Sequence, residues 1–229
     1  MPLPISKIKA TLRGRNAVAA AIVFAGASGW TAYHQAYEAT VPAPTVHRMV
    51  ITPAMEIHGA IDKGYVPPAV KLAVDQLIAP WEGLRTTAYL DRLPKIPVWT
   101  VCYGDTLGVK AGMKFSVADC KARLMQRVIY DYYLPLVDGV PGFTEAPISV
   151  QAAMISGAYN YGVARVKSST AAKSVAKHQW QKTCLDLTAY NRAGGVVLEG
   201  LDRRRKMGDR ERLGEAELCF SGLDEKGGK

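Results

Sequence analysis

The polar and apolar positions divide the chain into three stretches. Residues 1–16 are basic, with Lys7, Lys9, Arg13 and Arg15 and no acid. Between Asn16 and Tyr37 there is no Asp, Glu, Lys or Arg, and the next charge is Glu38. A run of that length predicts a membrane-spanning helix of about 20 residues, its basic end held on the cytoplasmic side. The run (AVAAAIVFAGASGWTAYHQA) is rich in Ala and Gly rather than Leu, so it gains little from lipid. It can be read as a cleavable secretory signal, a permanent anchor or a weak anchor that later leaves the bilayer; an uncleaved anchor of the second or third kind is the favoured reading. Residues 38–68 carry Pro42, Pro44, Pro53, Pro67 and Pro68 without a sustained period. They predict an extended linker with at most one short helix.

From Ala69 the period becomes helical. Leu72, Ala73, Leu77 and Ile78 recur at three- and four-residue spacing, and Pro80 should end or kink that helix. A second helix is expected from Ser116, an N-cap with Asp119 three residues on. Val117, Leu124, Val128 and Ile129 would form its apolar stripe toward Leu136. With 48% hydrophobic and 21% charged residues the bulk of the chain is not a disordered one.

The formal charge is +9, shared between the extreme N-terminus and residues 81–229. A basic domain attracts any polyanion, nucleic acid or cell wall alike. The run Arg203–Lys206 is offset by Asp202, Asp209, Glu211, Glu215 and Glu217. It reads as a solvated helix face, and no nucleic-acid partner is expected. Cys102, Cys120, Cys184 and Cys219 show no metal-ligand spacing, and the four His are scattered, so no metal is expected. Behind an export-like segment, two disulfides are the expectation.

The candidate chemistry starts at Glu82. It follows Pro80-Trp81 near a helix C-terminus, beside an aromatic ring. Both features disfavour a carboxylate, as a general acid requires. Downstream come Arg85, Tyr89, Asp91 and then Trp99-Thr100-Val101-Cys102-Tyr103-Gly104-Asp105.

The segment Glu82-Gly83-Leu84-Arg85-Thr86-Thr87-Ala88-Tyr89-Leu90-Asp91, followed by Trp99 to Gly104, resembles the active-site pattern E-G-x-R-x-x-x-Y-x-D of the phage lysozymes, glycoside hydrolase family 24. Similarity continues through Met154–Gly162, Ser169-Thr170 and Gly200–Arg205 to Cys219. In its Ala/Gly-rich leader the chain resembles the signal-anchor-release endolysins.

The resemblance implies a mostly helical α+β fold with a small β-hairpin lobe, preceded by the N-terminal membrane-spanning helix. The organisation would be 1–37 anchor, 38–68 linker and 69–229 catalytic domain. It implies hydrolysis of the β-1,4 bond between N-acetylmuramic acid and N-acetylglucosamine in peptidoglycan. Glu82 would be the acid, Asp91 the second carboxylate, and Thr100 would hold the attacking water. Tyr89, Trp99, Asn160 and Thr170 are candidate substrate-binding residues. Arg85 would brace the site or serve as a surface charge. The pairs Cys102–Cys120 and Cys184–Cys219 are also implied by the resemblance. No cofactor is expected, and the chain would act as a monomer, tethered to the host inner membrane with its catalytic domain in the periplasm. Two departures stand out. Eight residues separate Asp91 from Thr100, where the family has five. Asp105 takes the place of a His, which makes it a reserve second carboxylate. Rival readings are a lytic transglycosylase, a virion-associated muramidase and a catalytically dead, membrane-tethered peptidoglycan-binding protein.

Overall fold

The computed structural model describes residues 10–16, 51–92 and 96–224. The uncharged stretch 17–37, with the membrane helix expected there, lies outside the described residues. Among the described residues no helix is long and apolar enough to cross a membrane.

Helix α1 (Pro53–Asp62) starts where Thr52 accepts from the Met55 amide and Pro53 supplies a preset φ. It falls in the stretch read as a linker, yet its Ala60 and Ile61 are buried. Helix α2 (Pro68–Ala73) then runs into a π-helical turn (Val74–Ile78) and on into α3 (Ala79–Glu82). Pro80 therefore does not stop the helix. It follows directly on the π-helical segment, where the regular i→i−4 ladder is already interrupted. The stop comes at Gly83, whose φ of 70° only glycine adopts freely.

Strands β1 (Arg85–Asp91) and β2 (Val98–Cys102) pair antiparallel, with Tyr89 opposite Thr100, Leu90 opposite Trp99 and Asp91 opposite Val98. A third extended segment closes on the other edge, where the Ala88 amide donates to Met113 and Phe115 donates to Thr86. The register shifts between Arg85 and Tyr89 and is then continuous from Tyr89 to Asp91.

Helix α4 (Val117–Arg127) opens with a capping box between Ser116 and Asp119. It continues through a π-helical turn (Val128–Tyr133) into α5 (Leu134–Gly139). Leu124, Val128, Ile129 and Leu136 are buried as the pattern predicts, while Val117 is exposed in the first turn. Helix α6 (Ile148–Tyr161) is buried from Ser149 to Ala158 and packs against α2 and against the last helix, α11 (Glu215–Asp224). Around it lie α7 (Val163–Ser168), α8 (Thr170–Val175), α9 (Trp180–Asp186) and α10 (Glu199–Arg205), with a two-residue hairpin, β3 (Arg192–Ala193) and β4 (Val196–Val197), before α10.

Two disulfides cross this frame. Cys102–Cys120 ties the end of β2 to α4, and Cys184–Cys219 ties α9 to α11. Cys102 adopts a left-handed φ of 57°. The basic arm 10–16 lies against the far end of the chain. Arg13 grips the buried Glu217 carboxylate with Nε at 2.7 Å and one terminal nitrogen at 2.9 Å, and it donates to the carbonyls of Met207 and Asp209. Gly14 passes so close to Ser221 that a Cβ would meet its Oγ at 2.1 Å.

Candidate active site

Glu82 ends α3, partly exposed, at a cavity of about 240 Å³ also lined by Tyr103, Asp105, Arg127, Tyr132, Tyr159 and Asn160. The structure thus brings Glu82 and Asn160 to one cavity. The apolar neighbourhood anticipated for Glu82 is replaced by a charged one. One terminal nitrogen of Arg204 donates to Glu82 Oε1 at 2.7 Å, and Arg204 is itself only 4% exposed. The Trp81 indole is engaged elsewhere, donating to the Leu213 carbonyl at 2.8 Å with Arg212 stacked 3.8 Å from its ring centroid.

Three residues after Glu82 the hairpin begins at Arg85, and its register sorts the other candidates. Cross-strand pairs and alternate residues share a face. Asp91, Tyr89 and Thr100 therefore lie on one face, Trp99 and Leu90 on the other. Thr100 is buried and its hydroxyl donates to the Val98 carbonyl at 3.3 Å. Asp91 and Thr100 do not line the Glu82 cavity itself. Thr170 is exposed in the first turn of α8, outside that cavity, and the N-cap is Ser169, which accepts from the Ala172 amide. Arg85 is exposed and lies over the Tyr89 ring, 4.3 Å from its centroid, rather than against Glu82.

Asp105 does not stand alone in the cavity wall. Arg123 donates to it from Nε at 2.9 Å and Arg127 at 2.8 Å, both from α4. Its backbone also closes a tight turn with Val101. Asp105 is in position to clamp the hairpin lobe to the helical lobe. Above it, the Tyr159 hydroxyl donates to the Tyr103 carbonyl at 2.7 Å. Burial, with Glu82 and Tyr132 adding to it, pushes the Tyr159 hydroxyl well up, so it stays neutral.

The largest correction concerns the run Arg203–Lys206, read as a solvated face. Only Arg203 is exposed; Arg204, Arg205 and Lys206 are buried. Lys206 pairs with the buried Asp202, and Arg205 pairs with the buried Glu215. Cations enter a core only with partners, and the acids interleaved downstream were the available signal.

The phage lysozyme family pattern matches residues 79–208, from the start of α3 to just past α10. The chain belongs to the phage lysozyme family. This phage lysozyme is 26% identical to the SAR-endolysin of Enterobacteria phage P21 over 144 residues, 62% of this chain and 80% of that protein. Against the endolysin of Bacillus phage B103 it is 31% identical over 132 residues, 57% of this chain. It spans about half of that relative's length (48%). In fold it matches the active form of the P1 phage endolysin Lyz with a TM-score of 0.55 at 24% identity, covering 74% of this chain and 94% of the other.

Proposed function

We propose that this phage lysozyme is an endolysin, a muramidase-type glycosidase that hydrolyses the β-1,4 bond between N-acetylmuramic acid and N-acetylglucosamine in peptidoglycan. Glu82 is the general acid. Arg204 engages its Oε1, so the other oxygen is the one to deliver a proton to the glycosidic oxygen. Asp91 is the base that draws a proton from the attacking water. Thr100, whose own proton goes to Val98, offers its oxygen as an acceptor to hold that water. Hydrolysis with inversion requires a protonated and an ionised carboxyl with a water between them. The observation that supports the reading is the placement of Glu82 in a cavity wall three residues before a hairpin that has Asp91 and Thr100 on one face.

Turbidity loss of permeabilised Gram-negative cells tests it, comparing the full chain with Glu82→Gln and Asp91→Asn. Clearing by the native protein and failure of both variants is expected. Activity retained by Asp91→Asn, together with anhydro-muramic ends, would favour a transglycosylase. Loss of turbidity with neither carboxylate needed would overturn the assignment.

The stretch 17–37 is proposed as a weak signal anchor that holds the domain at the inner membrane, on its periplasmic side. Its support is the basic, acid-free start followed by an Ala/Gly-rich uncharged run, and the SAR-endolysin relatives of the phages P21 and PA-2. Tethering keeps the enzyme idle. Full lytic activity in the membrane-bound fraction would sink that idea.

A further inference from the structure

Beneath the Glu82 cavity lies a layer of charge that family membership does not itself explain. Glu215 opens α11 and is fully buried. Ser156 Oγ, on α6, donates to its Oε1 at 2.7 Å. Arg205 pairs with the same oxygen, and Arg204 Nε lies 3.6 Å from it. The two arginines then diverge. Arg204 reaches Glu82, and Arg205 donates to Asn160 Oδ1. One buried carboxylate therefore sits between two guanidinium groups, each of which holds a different residue of the cavity wall.

We propose that Glu215 is a positioning residue for the reaction, fixing Glu82 through Arg204 and Asn160 through Arg205. This rests on the reading of Glu82 as the general acid. The electrostatics give the reason a carboxylate is needed at that place. With Glu82 ionised, two acids face two cations. With Glu82 protonated and ready to act, the layer carries one net positive charge. Without Glu215 it would carry two, in an environment where the interaction of such charges is poorly screened. The second guanidinium charge would then press Glu82 toward its ionised form. The groups facing Glu82 are Arg204 from α10, Arg127 from α4, Tyr132 from the π-helical turn after it, Tyr159 from α6 and Asp105 from the hairpin lobe. Of these, Arg204 alone contacts both Glu82 and Glu215.

The test measures kcat, KM and their pH profiles on soluble peptidoglycan fragments for the full chain, Glu215→Gln, Glu215→Asp and Ser156→Ala, with Glu82→Gln as reference. Glu215→Gln is expected to lower kcat about 10- to 100-fold with little change in KM, as a small misplacement of a catalytic group does. Its alkaline limb should move to lower pH by about one unit, the scale of a lost neighbouring charge. Glu215→Asp keeps the charge and should return the limb, with part of the rate. Ser156→Ala retains every charge and should lower kcat with the limb in place, which covers the case in which Glu215→Gln does not fold. A folded Glu215→Gln with native kcat and native limb, or with only KM raised, overturns the proposal. So does native kcat in Ser156→Ala. If Glu82→Gln itself stays active, the assignment of Glu82 is what has failed. If Glu82→Gln is dead and the other variants are native, this inference alone has failed.

Discussion

The two disulfides should rank oppositely for stability and for activity. Replacing both cysteines of a bond by alanine removes a constraint on the unfolded chain. The chain-entropy cost grows with the loop closed. A separation of 18 residues for Cys102–Cys120 corresponds to about 3 kcal/mol, and 35 for Cys184–Cys219 to about 4 kcal/mol. Cys102 also sits at a φ of 57°, a conformation that costs a non-glycine residue about 1–2 kcal/mol. Once unbridged, the end of β2 can relax and regain about 1 kcal/mol of this, leaving a net loss of about 2 kcal/mol. At about 2–4 °C per kcal/mol for a domain of this size, C102A/C120A should melt roughly 4–8 °C lower and C184A/C219A roughly 8–16 °C lower. Activity should follow location instead. Cys102 is two residues from Thr100, and Cys102, Tyr103 and Asp105 line the Glu82 cavity, whereas Cys184–Cys219 lies between α9 and α11. A shift of about 1 Å at a catalytic group can cost about 100-fold. At 25 °C, C102A/C120A should therefore clear cells at least about tenfold more slowly, and C184A/C219A at near the native rate. Thermal melts by circular dichroism and turbidity assays on the same preparations measure both. The reasoning is refuted if C102A/C120A melts lower than C184A/C219A, or if it lyses cells at the native rate.

Three further outcomes follow from the charged groups. Arg204→Ala leaves Glu82 and the buried Glu215 short of a cation. It should cost about 3 kcal/mol by thermal melting, typical of breaking a buried pair, and abolish most lysis; a melt within 2 °C of native, by the same scaling, would show Arg204 to be dispensable. Asp105→Asn weakens a lobe clamp without removing a reacting group, so lysis at 25 °C should fall less than in Asp91→Asn, and equal losses would return Asp105 to candidacy as the second carboxylate. The Asp209 carboxyl is pulled down to about 2 by its hydrogen bonds from Arg212 and, less, by the backbone amides of Arg212 and Glu211. A depressed carboxyl stabilises the fold above its unfolded value near 4 and loses that contribution as pH falls through about 2. Asp209→Asn should thus lower Tm at pH 6 and converge on native near pH 2, and parallel curves across that window would contradict it.

How much of this could be read in advance depends on the range of the interaction concerned. The capping box at Ser116 and Asp119, the buried stripe Leu124, Val128 and Ile129, and the hairpin that follows Glu82 are local patterns, and all were legible. The start of α1 carries a local mark, Thr52-Pro53, a cap followed by a preset φ, which the density of prolines around it masked. The π-helical turn that carries the helix past Pro80 has no comparable local mark. Least legible was the burial of Arg204 and Arg205. A cationic run looks solvated unless its partners are known, and Glu82, Asn160 and Glu215 reach it from three other helices. The same holds for Arg13, whose partner is 204 residues away.

That last contact sets a condition on topology. If residues 17–37 span the membrane as proposed, residues 10–16 and Glu217 are on opposite sides of about 30 Å of hydrocarbon, and Arg13 cannot hold Glu217. On that proposal the inserted state and the state with the arm seated exclude one another, and insertion of 17–37 would compete with seating of 10–16 on Glu217. Each 1.4 kcal/mol of grip at Glu217 then moves the partition between them about tenfold away from the membrane, so the strength of a single arginine–glutamate pair would act as a timer set within the polypeptide itself.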